Sequence, residues 1–175
     1  MQWIKSITVI LILLSGHLNI SALQHIIRPA VGDQAPEIMM ANPEGEMLTL
    51  SNLRGKVVLV DFWASWCRTC RIENNSVRRA YQKYKSKNFD SGKGFDVFSV
   101  SLDEDQSIWR KAIINDKLEW QNQVCDFKKW NSPIVQTYNF RFLPHNVLID
   151  SSGKILAKGL YGNKLEEFLA AHLAE

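Results

Sequence analysis

Cys67-Arg68-Thr69-Cys70 sets two thiols three residues apart, a spacing that suits reversible disulfide chemistry when the pair opens a helix. A sulfur at the start of a helix sits over unpaired backbone N–H groups and the positive end of the helix dipole, both of which favour its thiolate. A second sulfur one turn further on is near enough to close a disulfide with it. Arg68 adds a positive charge beside the first sulfur. Cys67 is therefore the candidate nucleophile. Cys70 is the candidate resolving thiol, expected to be more buried, which breaks a mixed disulfide by attacking Cys67. The competing chemistry is a structural metal site. A four-ligand zinc site needs two further ligands, and only Cys125, His145 and a few isolated histidines are available. The expectation is redox work with no metal and no bound cofactor.

Resolution requires Cys70 to lose a proton, which a buried carboxylate nearby would assist. Asp61 lies six residues before Cys67, and Glu73 three residues after Cys70 on the same side of the helix. Each has a plainer alternative: Asp61 could cap a turn, and Glu73 could pair at the surface with Arg71 or Lys83. Trp66, beside Cys67, is expected to cover the disulfide and offer a partner an apolar rim, whereas Phe62 and Trp63 read as core or shielding residues. His145 reads as a surface residue, with a titrating group in a groove as the alternative. Cys125 reads as a small buried hydrophobe.

These residues need elements to hold them. Val57 to Phe62 is apolar apart from Asp61, as expected of a central strand covered on both faces. Residues 68–87 form a long helix, with Ile72, Val77, Ala80, Tyr81 and Tyr84 at near-helical spacing. Asp90-Ser91-Gly92-Lys93-Gly94 breaks it. Phe95 to Leu102 reads as a second strand, and Asp105 to Ile114 as a helix with Ile108, Trp109, Ala112 and Ile113 inward. Residues 117–131 show no clean period and are expected to be loop with short elements. Ile134 to Tyr138 reads as a short helix. Asn146–Asp150 and Ile155–Lys158 form a hairpin across Ser151-Ser152-Gly153-Lys154, and Lys164 to Leu173 is the last helix. Ahead of all this, residues 23–45 carry Pro29, Gly32, Pro36, Pro43 and Gly45 and read as a linker leading into an extended arm or hairpin. The order is that of an α/β protein: parallel strands first, an antiparallel pair last.

The chain has 175 residues and a net charge of +3. Residues 1–22 read as an export signal: Lys5, then an almost unbroken apolar run from Ile7 to Leu14, then small or polar residues ending near Ser21-Ala22. The apolar run is shorter than the roughly 20 residues of a transmembrane helix, and Ile20 weakens the cleavage site, so an uncleaved anchor is the alternative. Either way the domain lies outside the cytoplasm, in the periplasm or cell envelope. Residues 23–30 are then linker and 31–175 one domain. Lys5 belongs to the leader, which leaves 20 basic against 18 acidic side chains. With no long basic block, nucleic acid is excluded as a partner. Three cysteines are too few for a disulfide scaffold.

From about residue 31 onward the chain resembles exported or membrane-anchored thiol–disulfide oxidoreductases of the ResA and TlpA kind, within the thioredoxin superfamily. The resemblance rests on Gly-Asp-x-Ala-Pro at 32–36, Leu-x-Gly-Lys at 53–56, and Asp-Phe-Trp-Ala-Ser-Trp-Cys-x-x-Cys-Arg-x-Glu at 61–73. Val-Ser-Leu-Asp at 100–103, Trp109 with Trp120, and Pro144 through Leu-Ile-Asp-x-x-Gly at 148–153 extend it. It implies a thioredoxin-like fold, a central mixed sheet flanked by helices, with an N-terminal extension and an insert around 105–132. It also implies that Asp61 and Glu73 fall on active-site acids. Pro144 would be a cis proline facing the cysteine pair, and Leu143 would offer backbone groups to a substrate chain. The implied activity is dithiol/disulfide exchange with protein substrates, more as reductant than oxidant, in settings such as cytochrome c maturation, with an upstream thiol electron donor. A membrane enters only if the leader is an anchor. Thr69 and Asn75 stand where that family has proline, and Cys125 is additional. The Arg68-Thr69 pair tunes thiolate stability and so the direction of electron flow.

Three rival functions remain open at this point. A peroxiredoxin-like thiol peroxidase shares the 32–36 motif, but needs a cysteine framed by upstream threonine and proline, whereas Cys67 follows Trp66. A metal- or haem-handling thiol chaperone would bind cargo through the same sulfurs. A plain interaction domain would carry them incidentally.

Overall fold

The computed structural model describes residues 29–175; the leader and most of the linker lie outside the described residues. Strand β3 (Val57–Trp63) is the axis of the fold, and all seven of its residues are buried. It pairs in parallel with β6 (Phe95–Ser101) on one side and antiparallel with β8 (His145–Ile149) on the other. Outside these lie β7 (Asn122–Cys125), parallel to β6, and β9 (Ile155–Lys158), antiparallel to β8. The sheet order is β7-β6-β3-β8-β9. A strand in that central place has no solvent face, which explains its nearly continuous apolar run. Each such side chain removed from water stabilises the fold by about 1.5–3 kcal/mol.

The helices are α1 (Arg68–Tyr84), α2 (Gln106–Asn115), the short α3 (Pro133–Thr137) and α4 (Asn163–Ala171). Because successive strand side chains alternate between faces, Asp61 and Phe62 of β3 point to opposite sides. Phe62 packs on Tyr138 (ring centroids 4.9 Å apart) and Phe140 (4.7 Å). The face that Asp61 shares looks toward α1, whose Val77, Ala80 and Tyr84 are buried.

The N-terminal arm belongs to the domain rather than hanging from it. Gly32 N–H donates to Ile155 O, Ile155 N–H to Asp33 O, and Ala35 N–H to Gly153 O. The turn before β9 needs Gly153, whose φ is +89° and whose missing Cβ leaves room for Arg54 and Gln34. Beyond it a two-stranded ladder, β1 (Met39–Ala41) with β2 (Met47–Thr49), completes the arm. A second small ladder, β4 (Asn88–Phe89) with β5 (Gly92–Lys93), forms within the break after α1.

Residues 117–131 are loop with short elements, as expected, and one of these is β7, the fifth strand, so the segment 105–132 adds a helix and a sheet edge. Asn122 is half-buried and Gln123, Val124 and Cys125 are all buried, so four residues show no alternation from which to read a strand. Ile72 and Ile108 are not core residues. They are 62% and 54% exposed and are rotated around the helix axis away from the buried stripes.

Asn146 of β8, fully buried, donates to Leu160 O (3.0 Å) and accepts from Leu160 N–H (2.8 Å). It thereby locks the loop between β9 and α4 onto the sheet. Asn146→Ala strands both buried backbone groups, and we expect it to lower stability by about 2–4 kcal/mol in urea unfolding. A loss under about 0.5 kcal/mol would show that the clamp carries nothing.

Candidate active site

β3 delivers the chain to the cysteines through Ala64, Ser65 and Trp66, and the turn is held by buried charge. Asp103, 2% exposed, accepts from Ser65 N–H (3.0 Å), Ser65 Oγ (2.5 Å) and Ser101 Oγ (2.6 Å). Behind it, the Arg71 guanidinium pairs with the Asp116 carboxylate through two contacts, and donates to Ser65 O at 3.2 Å. Asn74 Nδ2 donates to the same Asp116 at 2.7 Å. Two carboxylates at the ends of neighbouring elements thus fix where α1 begins.

Cys67 is the N-cap of α1, with extended backbone angles (φ −83°, ψ 101°), and its sulfur accepts from Cys70 N–H at 3.2 Å. That sulfur occupies the place where a capping serine or aspartate oxygen usually sits, so negative charge on it is met by the helix dipole and an N–H donor. Thr69 Oγ1 lies 3.4 Å from the same sulfur. Cys67 and Cys70 are joined as a disulfide, Cα–Cα 5.2 Å. Cys67 keeps 7% of its surface and Cys70 none, so an incoming group reaches the first sulfur.

Asp61, in β3, and Glu73, in α1, are near enough for the Glu73 charge to act on Asp61. Burial, with the Glu73 charge adding to it, pushes Asp61 up to about 7. Glu73 is also raised, by burial, against the opposing effect of Gly162 N–H, which donates to Glu73 Oε1 at 2.8 Å. A group that holds its proton near neutral pH can take one from, or return one to, a thiol. The surface-pairing alternative for Glu73 does not hold: Arg71 pairs with Asp116, and Lys83 with Glu166.

Pro144 follows a cis peptide bond with Leu143. Trp66 is 48% exposed, donates its Nε1–H to Leu102 O (3.3 Å), and lies 6.4 Å from the Trp130 ring, which in turn meets Phe140 at 6.2 Å. An aromatic rim therefore runs from the cysteine turn to the segment that leads into Leu143 and Pro144. His145 departs from expectation. It is half-buried and stacked on Phe140 (5.1 Å, 13°), and burial and the Lys158 charge bring it down to about 4. It is a neutral wall residue at physiological pH. Cys125 is buried, and burial pushes its thiol up to about 11, which makes it inert as a nucleophile.

Several residues went unseen in the sequence. Tyr161 donates its hydroxyl to Pro144 O at 3.0 Å, and its own proton is held more tightly by burial and by the Asp61 and Glu73 charges. Asn146, Asp61, Ser99 and Gln123 are register partners across four strands and form one buried polar row. Ser99 Oγ accepts from Trp120 Nε1 at 2.9 Å. Polar residues interrupting apolar strands were the available signal, but only the pairing register brings them into line. Among the described residues no cluster of three or more His, Cys, Asp or Glu is arranged to hold a metal ion.

A helix-capping cysteine, a buried partner one turn on and a cis proline beside an aromatic rim, on a five-stranded mixed sheet, define a thioredoxin-like thiol–disulfide oxidoreductase. The chain belongs to the Redoxin family, which it matches over residues 30–171. It is 27% identical to the thiol-disulfide oxidoreductase ResA of Bacillus cereus, covering 94% of this chain and 91% of that one. The thioredoxin domain of a Bacteroides vulgatus thiol-disulfide oxidoreductase superposes with a TM-score of 0.73 at 36% identity, over 81% of this chain and 96% of that one. A thiol-disulfide oxidoreductase from Bacteroides fragilis does so with 0.71 at 35% identity, over 79% and 98%. The activity class is thereby shown: dithiol/disulfide exchange of the ResA and TlpA type.

The Asp61 shift carries a stability consequence. The folded chain holds this proton up to about pH 7, against an ordinary value of 3.8. The native state therefore binds the extra proton, and wild-type stability falls as pH rises from about 4 to 7, then levels. Asp61→Asn removes that slope. In urea unfolding of the oxidised protein, the variant gains on the order of 2–4 kcal/mol relative to wild type between pH 4 and pH 8. A difference that stays constant across this range contradicts the assignment.

Proposed function

We propose that this enzyme acts outside the cytoplasm as a reductant of protein disulfides, with Cys67 attacking and Cys70 resolving. The observation that carries the division of labour is the asymmetry of the pair: the Cys67 sulfur caps the helix and touches solvent, while Cys70 is fully buried one turn below.

The Cys67 thiolate attacks one sulfur of a substrate disulfide. A new S–S bond forms, the old one breaks, and the substrate's other sulfur leaves as a thiolate that takes a proton. Cys70 then gives its proton to the Asp61–Glu73 pair and attacks the Cys67 sulfur, which releases the second substrate thiol and leaves the enzyme disulfide. An upstream dithiol donor restores the reduced pair. During the first step the substrate chain lies along Leu143 and Pro144, with Trp66 covering the apolar side of the contact. The leader-like residues 1–22 and the likeness to ResA support an envelope location, and apocytochrome disulfides are the substrate set that the resemblance implies.

Cys67→Ala is expected to abolish insulin-disulfide reduction, and Cys70→Ala to accumulate mixed disulfides on non-reducing gels. Wild-type turnover in both would overturn the mechanism. The direction of electron flow is read from the reduction potential of the couple. A value near about −270 mV fits a reductant, and one near about −120 mV would make the enzyme an oxidant instead.

A further inference from the structure

The loop between β9 and α4 touches both halves of the site through consecutive residues. Tyr161 donates its hydroxyl to Pro144 O (3.0 Å), and Gly162 donates its N–H to Glu73 Oε1 (2.8 Å). Gly162 is the N-cap of α4, with φ +60° and ψ −128°, angles that a residue with a Cβ rarely adopts. The loop cannot drift independently of the sheet, because Asn146 grips Leu160 on both its N–H and its carbonyl, and Gly159 N–H donates to Asn146 O. Asn146 is itself the register partner of Asp61. Hydrogen bonds therefore join the Pro144 segment and the Glu73 carboxyl through this loop, and Asn146 ties the loop to the strand position paired with Asp61.

We infer that Tyr161 is a positioning residue for the exchange reaction, holding the Leu143–Pro144 segment in a fixed place relative to Asp61 and Glu73. The inference rests on the proposed reading that substrate lies along that segment. The Tyr161 ring is half-buried and is flanked by Asp61 from β3, Glu73 from α1 and the Pro144 carbonyl ahead of β8. Its hydroxyl keeps its proton beside two carboxyl groups, so it serves Pro144 as a donor throughout the working pH range. Removing it frees the carbonyl that fixes the wall.

The test is Tyr161→Phe in the full-length reduced enzyme, with Tyr138→Phe as comparison. Tyr138 makes the same kind of bond, its hydroxyl donating to Pro36 O at 2.6 Å, but on the opposite face of the sheet. We expect Tyr161→Phe to lower kcat/KM for insulin about 3- to 10-fold, through KM with kcat held within about 2-fold. Iodoacetamide labelling of Cys67 stays within about 2-fold of wild type, and Tyr138→Phe keeps wild-type KM. A KM unchanged in Tyr161→Phe, a loss carried by kcat instead, or a KM changed equally in both variants overturns the inference. In the Cys70→Ala chain, which retains Tyr161, the Tyr161 ring resonances should shift when a peptide is disulfide-linked to Cys67, and no shift would overturn it too. Failure of the wild type itself to reduce insulin would instead defeat the proposed function.

Discussion

The contact on which the rest depends is the hydrogen bond from Cys70 N–H to the Cys67 sulfur at the first turn of α1. It places a polarizable, ionisable atom where backbone geometry already calls for an acceptor. One backbone position thus caps the helix and stabilises the thiolate. Moving the start of α1 by one residue would put the sulfur off the helix axis and lose both effects. The surrounding structure bears this out in how it places two carboxylates. Asp103 and Asp116 are both spent on the turn and on Arg71, where they fix the register at which β3 hands over to α1.

In the proposed mechanism the same site must also move protons while being dry enough to protect a disulfide. Asp61 meets this requirement by sitting in the central strand, where burial raises its proton affinity to the neutral range. An ionisable group there lowers stability when it is charged, so its presence in an otherwise apolar strand conflicts with the packing rule and marks function. In that mechanism Glu73 shares the task from the helix side, where Gly162 N–H holds its carboxyl. The two carboxyls reach the site from different elements, so the sheet–helix packing sets their coupling as much as their chemistry does.

Much of this was legible along the chain. The apolar run ending in Trp66-Cys67, the pattern of strand, helix and hairpin, and the paired acids on either side of the cysteines all follow from local residue type and spacing. What escaped was non-local. Strand β7 is too short and too evenly buried to show a period. Asn146, Ser99 and Gln123 acquire meaning only from the register that aligns them with Asp61. Tyr161 stands 17 residues from the carbonyl it holds, and His145 looks exposed in sequence because the Phe140 ring that covers it belongs to the preceding loop. Thr69, which reads only as a missing proline, puts a hydroxyl 3.4 Å from the reactive sulfur.

The central claim is that the start of α1 holds one sulfur of the pair, and only one, ready as a thiolate near neutral pH. The direct measurement is the pH dependence of iodoacetamide labelling of the fully reduced chain, with mass spectrometry assigning the label to each cysteine. Cys67 is expected to reach half its maximal rate below about pH 7.5, against about 8.5 for a free cysteine, while Cys70 and Cys125 stay unlabelled at pH 7. Equal, slow labelling of Cys67 and Cys70, rising only above about pH 8.5, would contradict it.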